Sequence, residues 1–113
     1  MTFKELMIQP TPNGYLPNLP LNGKWLENLG FTVGTGVSFD FVDDCIVLTL
    51  GGTDLQVESR VVRKIPRTIL TINAFWLKQH GFNLWDRVGL TLEHGKITIQ
   101  KIVDYSTTDD LGA

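Results

Sequence analysis

The residues WLENLGF, Trp25 to Phe31, return 51 positions later as WLKQHGF, Trp76 to Phe82. Both read Trp-Leu-x-x-x-Gly-Phe, in a chain of 113 residues. Working outward at the same offset, Leu19 meets Leu70, Leu21 meets Ile72 and Asn22 meets Asn73. Downstream, Val37 meets Val88, Phe39 meets Leu90, Phe41 meets Leu92, Ile46 meets Ile97 and Leu48 meets Ile99. Identities and like-for-like apolar pairs run without a gap from Leu19 to Leu48. Self-similarity of this length reports a structural unit written twice.

Each copy follows one local grammar. Asn22 and Asn73 stand where a short helix begins, and Asn is a favourable N-cap. The helices are GKWLENL and AFWLKQH. Gly30 and Gly81 follow as left-handed residues, and Phe31 and Phe82 reach back to Leu26 and Leu77 in a Schellman-type closure. So short a helix is unstable alone, so Trp25 and Trp76 are expected to be buried anchors. The surface they need is a hairpin. Val37, Phe39 and Phe41 alternate with Ser38 and Asp40, the period of a half-buried strand. Asp43-Asp44 turns the chain and CIVLTL returns it. In the second copy Val88, Leu90 and Leu92 alternate, His94-Gly95 turns and KITIQKI returns. Extended segments precede each helix: ELMIQPTP and GYLPNLPL in the first copy, DLQVESRVVRKIP and RTILTI in the second.

One such unit is too small for a core of its own. The expected fold is therefore mostly β with two short helices, a barrel formed by internal duplication in which the two units interleave their strands. It is a single domain over residues 1–103, with repeats at about 6–52 and 57–103 joined through Gly51-Gly52, followed by an acidic tail at 104–113. The two units form a pseudo-dimer within one chain, and a weak homodimer between completed barrels would meet at Trp85.

Hydrophobic residues make up 42% and charged residues 19%, a mixture that folds as a soluble globule. No apolar run approaches the roughly 18 residues of a membrane span. The first residues, MTFKELMIQP, lack the apolar stretch of a signal peptide. The expectation is a cytoplasmic protein without a membrane partner. Cys45 is the single cysteine, which excludes an intrachain disulfide and a multi-cysteine metal site; it reads as a small buried hydrophobe.

The net charge of −2 argues by itself against a polyanionic partner, but its distribution does not. Residues 1–52 carry Lys4 and Lys24 against Glu5, Glu27, Asp40, Asp43 and Asp44. From Ser59 to Lys78 the chain carries Arg60, Arg63, Lys64, Arg67 and Lys78 and no acid. At the repeat offset these five meet Gln9, Pro12, Asn13, Leu16 and Glu27, so any basic face is one-sided. It reads either as a nucleic-acid contact or as a solvated strand edge that resists aggregation. Trp85 has Gly34 as its counterpart, and an unrepeated Trp in a turn stacks on a base, sits in a protein interface or plugs local packing. His80 and His94 are the only histidines and the candidates for general acid–base work, but Leu29 and Asp43 stand at their counterparts, so no paired site results. No carboxylate cluster has metal-ligand spacing, and no cofactor is expected.

The run from Leu29-Gly30-Phe31 to Val37, and that from Gly81-Phe82 through Asp86 to Val88, resemble the units of the SpoVT/AbrB swapped-hairpin barrels. Within that fold, residues 19–50, LPLNGKWLENLGFTVGTGVSFDFVDDCIVLTL, resemble the core of SymE-type toxin proteins. They share a Gly-x-Trp-Leu helix, Gly-Phe, Gly-x-x-Val and a Cys-Ile-Val-Leu-Thr strand. The resemblance implies a nucleic-acid-binding protein, a toxin acting on RNA as an endoribonuclease in a toxin–antitoxin system. It also implies that the first strand of a unit and the loop after it form the nucleic-acid face, to which the basic residues Arg60, Arg63, Lys64, Arg67 and Lys78 are assigned; Trp85 joins the nucleic-acid-binding candidates as a residue for base stacking. Two alternatives stay open: a DNA-binding transcriptional regulator of the same fold, and a protein-interaction module whose basic strip meets an acidic partner.

Overall fold

A computed structural model describes residues 2–102; the acidic tail at 104–113 lies outside them. In chain order the elements are β1 (Thr2–Met7), β2 (Gln9–Pro10), β3 (Pro17–Asn18), β4 (Pro20–Asn22), α1 (Lys24–Asn28), β5 (Gly36–Val42) and β6 (Cys45–Leu50). There follow β7 (Leu55–Gln56), β8 (Glu58–Val62), β9 (Ile65–Thr71), α2 (Ala74–Gln79), β10 (Arg87–Glu93) and β11 (Lys96–Lys101). The protein is mostly β with two short helices. None of the described helices is long and apolar enough to cross a membrane.

The Schellman caps form in both helices. Gly30 and Gly81 take φ of 94° and 83°. The Phe31 N–H donates to the Leu26 carbonyl at 2.9 Å, and the Phe82 N–H to the Leu77 carbonyl at 2.8 Å. This turns both phenylalanines inward, where each is buried along with the leucine it caps. The helix starts differ from each other. The Asn73 side chain accepts from the Phe75 and Trp76 N–H groups, at 2.9 and 3.4 Å. In α1 the cap is Gly23, which offers no side chain, and Asn22 instead ends β4, its carbonyl accepting from the Trp25 indole at 2.8 Å. The expected Asn22 cap is therefore corrected: the β4–β9 ladder holds Asn22 in an extended backbone.

The strands of the two halves interleave. β1 pairs with β10, β7 with β5 and β4 with β9, each across the halves, and β11 pairs with β6 to join the two hairpins. The seams match. The Ile8 N–H donates to the Asp86 carbonyl at 2.9 Å and its carbonyl accepts from Trp85 N–H at 2.9 Å; Val57 does the same with Thr35 and Gly34, at 3.0 and 2.8 Å. Ile8 and Val57 are both buried. Their separation is two residues short of the offset relating the hairpins, so the segment between seam and helix is two residues longer in the second half. A constant offset through that segment pairs the wrong residues, and Arg60, Arg63, Lys64 and Arg67 have no simple counterparts in the first half.

A closed barrel does not form. The six-stranded sheet runs β1-β10-β11-β6-β5-β7 and ends in unpaired edges; β4-β9-β8 and β2-β3 form separate sheets. The edge at β7 spans only two residues, too short a ladder to close on β1. The core lies between the inner face of the large sheet (Val37, Ile46, Leu48, Leu90, Ile97, Ile99) and Leu21, Leu70, Leu26 and Leu77 from the small sheet and helices. Trp25 and Trp76 are not fully buried anchors but half-buried, Trp25 packed against this core and Trp76 against Phe39 beside it. The Lys4 ammonium sits 5.5 Å from the Trp25 ring, and Trp76 packs on Phe39 with centroids 4.7 Å apart. A helix this short turns one side fully inward, and Leu26 and Leu77 occupy it.

Candidate nucleic-acid interface

The stretch from Glu58 to Thr71 reads as extended chain, yet it folds back at Arg63-Lys64. These two residues take φ of 52° and 67°. A two-residue hairpin turn with both φ positive favours Asn-Gly or Asp-Gly, and neither a long basic side chain nor a charged pair is suited to it. Each left-handed residue of this type costs about 1–2 kcal/mol. Backbone strain of this kind gathers at working sites. Nothing in local composition announced this turn, which is why reading by turn residues missed it.

The hairpin is an arm. Every residue of β8 and the first three of β9 are exposed; burial begins at Thr68. Across the ladder Arg60 stands opposite Arg67, Val61 opposite Pro66 and Val62 opposite Ile65. Like charges directly opposite on adjacent strands destabilise the pair. Among the described residues the ion pairs are Arg87–Glu5 and Lys101–Asp86, so no carboxylate neutralises Arg60, Arg63, Lys64 or Arg67. The arm also carries exposed Val61, Val62 and Ile65. It is thus a strained, cationic and partly apolar ribbon with its charges unspent.

Alternation along the strands sends Arg60, Val62, Arg67 and Ile69 to one face. There they line an open groove of about 420 Å³, to which Arg63 adds a third guanidinium and β4 adds Pro20 and Asn22. Asn22 lies opposite Ile69 in the β4–β9 ladder, which fixes its place at the groove wall. A second groove, of about 200 Å³, runs between the arm and α1 and is lined by Arg67, Lys24 and Glu27 among others. Lys24 was missed from the sequence. It is one of two bases in an acidic half, with Lys4, and the pairing of β4 with β9 carries it to the arm.

The remaining candidates lie apart. Lys78 is exposed in the last turn of α2, a helix that packs on β3, and it lines neither groove. Trp85 sits in the turn before β10 with its N–H bonded to Ile8 and its side chain 59% exposed, so it is no packing plug. Its φ is 69°, where the matching Gly34 takes 91°. His80 stacks on Phe41 at 4.2 Å and 18°. His94 occupies the β10–β11 turn, close enough to Gly30 that a Cβ there would lie 3.3 Å from the imidazole. Neither histidine lines the arm's grooves, and among the described residues no three His, Cys, Asp or Glu side chains gather to hold a metal. Cys45 is free and half-exposed rather than buried, because it lies on the outer face of β6.

Residues 6–50 match the family described as toxin SymE, of type I toxin–antitoxin systems. The chain is similar to two proteins named endoribonuclease SymE, from Salmonella paratyphi C (strain RKS4594) and Salmonella choleraesuis (strain SC-B67). Each is 50% identical over 34 residues, which is 30% of this chain and 31% of the relative. The match spans about a third of those relatives' length. No solved structure matches the chain. The family match covers the first half, whereas the basic arm belongs to the second.

Proposed function

We propose that this chain acts on RNA as a SymE-like component of a toxin–antitoxin system, and that the β8–β9 arm is its RNA contact. One observation carries the contact: four basic side chains share an exposed hairpin and have no acidic partner among the described residues. Phosphate is the ligand that relieves both the cross-strand Arg60–Arg67 repulsion and the crowding of charge at the tip. The family match and the relatives' printed names favour RNA over duplex DNA. Endoribonucleolytic cleavage enters from those names alone, since His80 and His94 form no acid–base pair at the arm.

We further infer that the chain is one module written twice, covering residues 1–103, an intrachain pseudo-dimer of the swapped-hairpin type. Support comes from the equal offset between β5 and β10 and between β6 and β11, and from the matched seams at Ile8 and Val57. Trp85 offers a stacking or self-association surface outside the arm.

Binding of the full-length protein to a labelled single-stranded RNA, measured against salt, tests the contact. Four phosphate contacts imply a log–log slope of roughly −3 on single strands. Replacing Arg63 and Lys64 together by Ala flattens it by about 1 to 2 units. Absence of binding at low salt, or a slope untouched by the double substitution, removes the reading.

A further inference from the structure

The groove against the arm is chemically divided. Its polar part is three guanidiniums, Arg60, Arg63 and Arg67; its apolar part is Pro20, Val62 and Ile69; Asn22 stands at the wall. A surface that only tracks a phosphate backbone needs the first part and not the second. Its volume of about 420 Å³ falls at the small end of ligand sites, which run roughly 300–1,000 Å³. A flat group with one anion attached fits that division. We propose that this groove holds one unpaired nucleotide of a nucleic-acid strand: the phosphate on the guanidinium forks, the base against Val62 and Ile69, and Asn22 reading the base edge. The proposal rests on the nucleic-acid reading above and narrows it to single-stranded substrate.

The chemistry supports each part. Guanidinium planes bind phosphate oxygens through two parallel hydrogen bonds, and the cross-strand register puts Arg60 and Arg67 side by side at one spacing. The Asn amide carries both donor and acceptor, the pair a base edge presents. A base inside a duplex has both faces covered by its neighbours and its Watson–Crick edge taken by its partner, so it cannot lay a ring on the apolar wall. An unpaired base brings its face to the apolar wall without an unstacking cost. The exposed Val62, 41% accessible, and the nearly buried Ile69, 6%, form a step that a planar ring covers.

The test uses isotope-labelled full-length protein and three probes at equal concentration: uridine 5′-monophosphate, uridine and inorganic phosphate. The monophosphate is expected to move the methyl signals of Val62 and Ile69 and the side-chain amide of Asn22 in one saturable process. Phosphate alone moves the arginines and leaves the two methyls in place. Arg67→Gln, an exposed change that keeps the fold, weakens the monophosphate by roughly tenfold. A blunt RNA duplex leaves Val62 and Ile69 unmoved, while a single strand of the same length shifts them. The proposal is overturned if phosphate reproduces the whole pattern, if the duplex moves the methyls as the strand does, or if Val61 on the opposite face responds in place of Val62. If a single-stranded RNA still binds with salt dependence while the groove stays silent, the broader reading survives and this one fails. If no RNA binds at low salt, both fail.

Discussion

Two arms leave the body of this protein in comparable positions, and they are made differently. The first, Gln9 to Asn18, holds a ladder of two residue pairs, Gln9 with Asn18 and Pro10 with Pro17. Its tip is tied by the Thr11 N–H on the Leu16 carbonyl at 2.9 Å. It carries no charge, and Tyr15 stands 88% exposed at its end. The second, Glu58 to Thr71, holds five pairs and ends in a left-handed Arg-Lys turn. Prolines shorten one ladder, because each removes a donor and fixes φ. Two extra residues lengthen the other, and its one proline, Pro66, sits within the ladder opposite Val61 without ending it. One frame therefore presents a stiff neutral loop on one side and a cationic ribbon on the other. The arms come to differ in charge and length through a few residues while the frame stays equal.

The sharpest way to break that equality is in the core. Phe31 and Phe82 are buried at matching positions, so Phe31→Ala and Phe82→Ala should each cost about 3–5 kcal/mol in urea unfolding. A loss below about 1 kcal/mol at one of them would mean that the halves are packed unequally. The tryptophans come next. Half-buried, each loses about 2–3 kcal/mol on change to Ala; Trp76 loses its ring pair with Phe39, and Trp25 its hydrogen bond to Asn22 and its contact with Lys4, so the two losses should agree within about 1 kcal/mol. A difference of about 2 kcal/mol or more would mean that the halves hold their tryptophans unequally.

The arms themselves are separated by salt titration of RNA binding. Arg63→Ala with Lys64→Ala should flatten the slope by about 1 to 2 units, whereas Pro12→Ala with Asn13→Ala should leave it unchanged. Similar effects from both pairs would make the arms functionally alike. The smallest effect is at the seam. Trp85→Gly removes a left-handed non-glycine strain of about 1–2 kcal/mol and adds unfolded-state freedom worth about 0.5–1 kcal/mol. The denaturant midpoint should therefore rise slightly with the m-value unchanged. A lower midpoint would show that the exposed indole contributes packing.

Local chemistry made much of this fold legible. Gly30-Phe31 and Gly81-Phe82 announce their caps because only a left-handed glycine closes that turn, and Val37-Phe39-Phe41 announces its strand because burial follows the pleat. What stayed hidden depends on partners far along the chain. Asn22 looks like Asn73 in sequence, but β9 holds it as strand. Arg63-Lys64 carries no turn signal, because ladder pairing on both sides forces the turn against residue preference. Lys24 looks isolated until β4 meets β9. Of the candidate contacts, Arg60, Arg63, Lys64 and Arg67 share the arm; Lys78, which shares their acid-free stretch, and Trp85, a candidate because it is an unrepeated Trp, lie on other surfaces.

The pairing of β1 with β10 has a consequence for synthesis. Thr2 lies opposite Leu92 and Met7 opposite Arg87, so β1 waits for a strand made much later. At about 5–20 residues per second, translation leaves β1 without its neighbour for several seconds. The nascent chain has no folded first half to shelter in, because each half completes the other. A stop codon ahead of β10 leaves β1 without its partner. It yields open strand edges, which invite aggregation and proteolysis.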